Sequence, residues 1–228
     1  MKKGRLLVFE GLDGSGKQTQ SQLLYEKLKK NKYPVMKVSY PRYDNESSAL
    51  VRMYLRGEFG QDPNTISPYI CSTFYAIDRY ASYKQDYEAF YNNEGIVIAD
   101  RYTTSNMLHQ ASKIQDKKER QKFLDWLYDF EFNLYGLPVP DVVFFLDLSV
   151  ADTVSLTKDR ANKITGNEKK DIHEANAAHL NSAHDIAYEL IEKYNWTKIK
   201  CINANEIRSI ENISDDIYKL FLESEGFK

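Results

Sequence analysis

Across 228 residues the chain carries 31 basic and 33 acidic side chains, a formal net charge of -2, with 42% hydrophobic residues. That is enough apolar material for one substantial core, and the well-mixed charge leaves no polybasic tail for a long nucleic acid, so any anion must be met by a local pocket. Cys71 and Cys201 stand far apart in apolar contexts, which argues against a disulfide framework or a zinc site and predicts two buried thiols.

The first element, Arg5 to Glu10, reads as a buried strand. Its apolar run, Leu6 to Phe9, is far too short for a signal-peptide core or a membrane span, and a cytoplasmic protein is expected. The strand runs straight into a glycine loop and then a helical pattern carrying Leu23, Leu24 and Leu28. Gly11, Gly16 and Lys17 fit G-x-x-x-x-G-K-[ST], in which loop amides cradle phosphates and the lysine reaches the outer ones. The last place departs from the pattern. Gln18 stands where a hydroxyl normally binds Mg²⁺, and Thr19 is one place too far along the helix to be assumed a substitute. Asp13 lies inside the loop, where phosphates would repel it unless it binds a sugar hydroxyl or a metal ion.

A second strand, Val35 to Ser39, is followed by Pro41-Arg42. Next comes a helical stretch in which Ile70, Phe74, Ile77 and Ala81 recur at helical spacing, predicting an apolar stripe against a sheet. Tyr75 and Arg79, four apart, share a face of that helix. Spacing allows two arrangements: an aromatic plane beside a guanidinium on which a base could stack, or Tyr75 in the core with Arg79 paired to Asp78 or another neighbour. The third strand, Gly95 to Asp100, leads into Arg101, and Asp100 could either hold Mg²⁺ or orient that arginine. Lys17, Arg42 and Arg101 thus follow three successive strands. Parallel sheets bind ligands at those ends, and three cations on one rim imply two phosphate groups meeting there.

Further along, Phe123, Leu127, Phe130 and Leu134 predict a second striped helix, Asp141 to Leu148 a fourth strand, and Lys198 to Asn203 a fifth with the lysines of an edge. The last helix, Ile210 to Leu222, is striped by Ile213, Ile217, Leu220 and Phe221. The alternation predicts one α/β domain over 1–228, a parallel sheet with helices on both faces. One polar stretch, Lys158 to Asp171, lacks a stripe and reads either as a flap or as a solvated loop. His109, His173, His179 and His184 are scattered, and neither a metal pair nor a Ser-His-Asp or Cys-His arrangement is legible.

Taken in order, FEGLDGSGK, YPRY, FYAIDR, DRYTTSN and GLPVPD resemble successive motifs of the thymidylate kinase family over nearly the whole length. The resemblance implies a P-loop NTP hydrolase-like three-layer αβα sandwich with a five-stranded parallel sheet and a short lid at about 158–171. It also implies ATP-dependent phosphorylation of dTMP to dTDP, Mg²⁺ as cofactor, and a homodimer formed through helices on one sheet face. ATP would lie on the loop from Gly11 through Leu12, Asp13, Gly14, Ser15, Gly16, Lys17, Gln18 and Thr19, with Lys158 and Arg160 of the lid above it.

By the same resemblance Arg42 and Arg101 grip the acceptor phosphate, and Asp13 lies near the acceptor's 3′-hydroxyl or the metal. Tyr75 stacks on the base, Arg79 reaches the base edge or the phosphate, and Ser105 and Asn106 belong to the same pocket. His109 stands where the family often carries a Tyr or Gln touching the sugar. Lys17, Arg42, Arg101, Asp13 and Arg160 form the implied catalytic set. Glu174 looks like the family's acidic lid-end motif, so Asp13, Asp100 and Glu174 compete for the metal. The residues alone leave rivals open: a kinase of another nucleoside monophosphate or of a deoxynucleoside, and a nucleotide-dependent regulatory ATPase.

Overall fold

A computed structural model describes residues 3–157, 177–204 and 206–224. Five strands, β1 (Arg5–Glu10), β2 (Val35–Ser39), β3 (Ile96–Asp100), β4 (Val142–Asp147) and β5 (Thr197–Lys200), form one parallel sheet in the order β2-β3-β1-β4-β5. Helices α1 (Lys17–Lys30), α2 (Ala49–Leu55), α3 (Pro68–Ser82), α4 (Glu88–Asn92) and α5 (Thr103–His109) are followed by α6 (Lys117–Tyr128), α7 (Val150–Thr157), α8 (Ala177–Tyr194) and α9 (Ile210–Ser224). None of the helices among the described residues is long and apolar enough to cross a membrane.

Strand alternation divides the core in two. Leu7, Phe9, Ile98, Phe144 and Leu146 point to one face and pack on Leu24 and Leu28 of α1 and Ile213, Ile217 and Phe221 of α9. Leu6, Val8, Val97, Val143 and Phe145 point to the other, under Leu108 of α5, Phe123 and Leu127 of α6, and Leu190 of α8. A satellite cluster of Val51, Tyr54, Leu55 and Cys71 joins α2 to α3. Both cysteines are free and buried, as their contexts predict.

The strands fall within one or two residues of their sequence positions except at the fifth. There the ladder stops at Lys200, and Ile202–Asn203 (β6) pairs antiparallel with Glu206–Ile207 (β7) instead.

Two predicted helix faces are wrong. On α3 the expected stripe is not the buried one: Ile70 is 51% exposed and Ile77 43%, while Cys71, Ser72, Ala76, Asp78, Arg79 and Ser82 are buried. This small, polar face can be buried because its charges have partners: Asp78 meets Arg42, and Arg79 meets Glu131. On α6, Phe123 and Leu127 are buried as expected, but Leu134 is 72% exposed. A π-helical turn over Asp129–Leu134 takes in one residue more than an α-turn and shifts the helical phase, so Glu131 and Phe132 enter the interior in place of Phe130 and Leu134.

Candidate active site

The loop between β1 and α1 is built for close backbone approach. Gly11 has φ 146°, and a Cβ there would lie 2.9 Å from the Leu146 carbonyl oxygen. Gly16 caps α1 in the left-handed region at φ 93° with no side-chain cap, so the first amides of α1 are left for an anion. Lys17 folds back over the loop and its Nζ donates to the Gly11 and Leu12 carbonyls at 2.8 and 2.7 Å. Burial, reinforced by Arg101, lowers its pKa to about 8 against the opposing pull of Asp13, Glu10 and Asp100.

Arg101 follows β3 in the left-handed region at φ 67°, a conformation that costs about 1–3 kcal/mol in a non-glycine residue. The surroundings hold it there. Its backbone amide donates to Phe9, and its guanidinium donates to Asp13 Oδ1 at 2.7 Å and Ser105 Oγ at 3.2 Å, with Glu10 Oε1 3.5 Å away and His109 Nε2 at 3.4 Å. Burial works against the charge, but Asp13, Glu10 and Asp100 outweigh it and hold the guanidinium above its ordinary value.

Glu10, the fully buried last residue of β1, is a hub that sequence reasoning missed. It accepts from the Gly11 amide at 3.0 Å, Thr104 at 2.8 Å and Ser105 at 2.6 Å. Strand register makes the pairing: Phe9 lies level with Asp100, so Glu10 at the end of β1 falls opposite Arg101 and supplies its counter-charge.

One cavity of about 220 Å³, well beyond what a water or an ion needs, brings most of the expected residues together. Asp13, Gln18, Tyr75, Arg79, Asp100, Arg101, Ser105, Asn106 and His109 all line it, with Tyr40, Tyr43 and Gln110. Asn106 Nδ2 donates to the Ser72 carbonyl at 3.3 Å. Tyr75 meets Tyr54 edge-on at 6.5 Å.

Arg42 does not line the cavity. Its amide and Nε donate to Asp78 at 2.8 and 3.1 Å, Nη1 to Asp86 at 2.6 Å and Nη2 to Ser47 at 2.8 Å. Tyr75 and Arg79 both line the cavity, and Arg79 is paired as well, with Glu131 and not with Asp78. Nε and Nη2 make a bidentate pair with Glu131 at 2.7 and 2.6 Å, Thr103 Oγ1 donates to the same carboxylate at 2.7 Å, and Nη1 reaches the Tyr102 carbonyl at 3.4 Å. The Tyr40-Pro41 bond is cis.

Two carboxylates at the cavity suit a hard cation. Asp100, almost fully buried, accepts no side-chain hydrogen bond among the described residues, while Asp13 is tied to Arg101. No cluster of three potential ligand side chains occurs among the described residues. Lys158, Arg160, Glu174 and the 158–171 stretch lie outside them.

The cavity places an anion-binding loop beside a second pocket offering an arginine, an aromatic ring and amides. A family model described as thymidylate kinase matches residues 9–217. The thymidylate kinase of Dictyostelium discoideum is 28% identical over 226 residues, 97% of this chain and 86% of the relative. That of Plasmodium falciparum is 29% identical over 220 residues, covering 96% and 90%. Among solved structures, a thymidylate kinase from Candida albicans matches with a TM-score of 0.72 at 18% identity, over 99% of this chain and 94% of that one, a likeness of fold.

Proposed function

The chain belongs to the thymidylate kinase family and phosphorylates dTMP to dTDP with ATP as donor, and we propose that it does so across the cavity between the glycine loop and α5. The observation that carries this placement is Arg101: one guanidinium, held in a strained backbone, faces Asp13 of the donor loop and Ser105 and His109 of the acceptor pocket. The loop from Gly11 to Lys17, with Gln18 and Thr19 opening α1, holds the ATP phosphates, and Lys17 leaves its two carbonyls to meet them. Arg101 grips the acceptor phosphate. Arg42 joins it by giving up Asp86 while its amide and Nε stay on Asp78.

At the other end, Tyr75 stacks on the base, Arg79 donates to its edge, Asn106 lies beside it, and His109 faces the sugar. Little proton transfer is needed, because the attacking atom is already a phosphate oxygen; positioning and charge neutralisation supply the rate. Asp100 is the best-placed protein ligand for Mg²⁺, since that ion is satisfied by one or two carboxylates with waters and phosphate oxygens; Asp13 and Glu174 are the further candidates. When bound, the ion neutralises phosphoryl charge that the absent loop hydroxyl would otherwise help it meet.

We propose in addition that the whole chain is one kinase domain working in the cytoplasm, with the segment at about 158–171 closing Lys158 and Arg160 over ATP. A homodimer through the outward face of α3 completes the reading, supported by the exposure of Ile70 and Ile77 there. Steady-state ADP release with an acceptor panel, with and without Mg²⁺, tests the chemistry. Arg101→Ala is expected to lower turnover on dTMP by about 10²–10³-fold or more; unchanged turnover in the folded variant removes Arg101 from the site.

A further inference from the structure

At the rim of the cavity Pro41 and Tyr43 line the wall, but Arg42 between them turns its guanidinium outward, onto α3. It lies over a row of polar side chains spaced four apart: Asp78 and Ser82 of α3, then Asp86 of the π-helical turn Tyr83–Tyr87 that continues it. The two carboxylates hold it differently. Asp78, whose side chain is 1% exposed, takes the Arg42 amide and Nε at 2.8 and 3.1 Å and so fixes the root of the guanidinium. Asp86, 42% exposed, takes Nη1 at 2.6 Å and is itself steadied by Ser82 Oγ at 2.8 Å. Nη2 rests on Ser47 Oγ at 2.8 Å.

We propose that Asp86 is a latch on Arg42, a positioning residue that weakens acceptor binding by competing with the acceptor phosphate for the guanidinium. This rests on the assignment of the cavity to dTMP and of its phosphate to Arg42 and Arg101. A guanidinium grips a phosphate through its outer nitrogens, and in the empty site both of these are taken. Ser47 is neutral and gives way easily, whereas Asp86 carries a full charge and is a true competitor. Exposure decides which carboxylate yields. Asp86 is rehydrated as soon as Arg42 leaves it, so that pair is weak and breakable, while Asp78 is sealed from water and would be left as an unpaired buried charge. Asp78 is therefore the pivot and Asp86 the catch: the guanidinium turns about its Nε root, away from the π-helical turn and towards the wall formed by Pro41 and Tyr43.

Asp86→Asn removes the charge and keeps the shape; Asp86→Glu keeps the charge. We expect Asp86→Asn to lower KM for dTMP by about 2- to 5-fold, the worth of one solvated ion pair, with little change in kcat or in KM for ATP, and Asp86→Glu to stay near wild type. A carboxylate that merely braced the turn would on removal raise KM or lower the melting temperature instead. A double-mutant cycle shows whether the effect runs through Arg42: Arg42→Ala should itself raise KM for dTMP, and adding Asp86→Asn to it should change nothing further, since the latch has nothing left to hold. A KM for dTMP that is unchanged or raised in folded Asp86→Asn protein overturns the proposal. So does a drop that persists in the Arg42→Ala background, which would be repulsion of the phosphate by Asp86 alone, and so does an Arg42→Ala protein with wild-type KM for dTMP. Wild-type turnover of dTMP is measured alongside. Its absence would overturn the substrate reading beneath the proposal, whereas wild-type turnover with an indifferent Asp86→Asn overturns the latch alone.

Discussion

At the scale of single residues, the site is a set of charges held in waiting. Lys17 is the clearest case, because burial and Arg101 bring its pKa to about 8 while it rests on two carbonyls. ATP phosphates favour the charged amine, so the complex keeps a proton that the free protein loses above pH 8. ATP binding should therefore take up a proton above pH 8 and none near pH 6.5, and ATP affinity should fall by up to about tenfold per pH unit in the alkaline range. Calorimetric titration in two buffers of different ionisation enthalpy reads this directly; equal heats at pH 9 would place the Lys17 pKa elsewhere. The same depression acts on folding with a fixed sign: between about 8 and 10.5 the unfolded chain binds the extra proton, so stability from this group rises with pH across that window. Lys17 itself was legible in the sequence, since its whole motif lies within a few consecutive residues. Glu10 and Glu131 were not, because each acts through a partner supplied by strand register or by a distant helix.

At the scale of elements, existence was easier to read than orientation. Each parallel strand is announced by its apolar run, but α3 hides its function in the mismatch between pattern and burial: the apolar stripe faces out because the polar stripe is needed within. No periodicity could show this, for it depends on Glu131, which only the π-helical turn at Asp129–Leu134 carries inward. The Arg79–Glu131 pair is buried on both sides, and removing one partner of such a pair typically costs about 3–5 kcal/mol. Glu131→Gln should accordingly lower stability by that order in urea unfolding. The double replacement Arg79→Met with Glu131→Leu should restore most of it while abolishing efficient use of dTMP. If Glu131→Gln unfolds at the wild-type midpoint, the pair is not what holds α3 against the turn after α6.

At the scale of the whole molecule, α3 is a wall with two working sides. Its inner side carries Tyr75 and Arg79 to the cavity; its outer side shows Ile70, Ile77 and Tyr80, and the adjoining turn after α6 adds Leu134. Ring contacts between Tyr69 and Trp126 and between Tyr80 and Tyr135 tie the two elements into one surface. These exposed apolar side chains are the ground for the interface proposed above, with a second copy of the chain as its occupant. Ile70→Glu combined with Ile77→Glu should convert a dimer to a monomer in sedimentation velocity. The core cannot be the cause, since neither side chain belongs to it. If dimerisation also braces the site, the monomer should bind dTMP less tightly while keeping its affinity for ATP, because α3 serves the acceptor pocket and the glycine loop does not touch that patch. A wild-type protein that sediments as a monomer at micromolar concentration would mean that the outer stripe of α3 faces something other than itself.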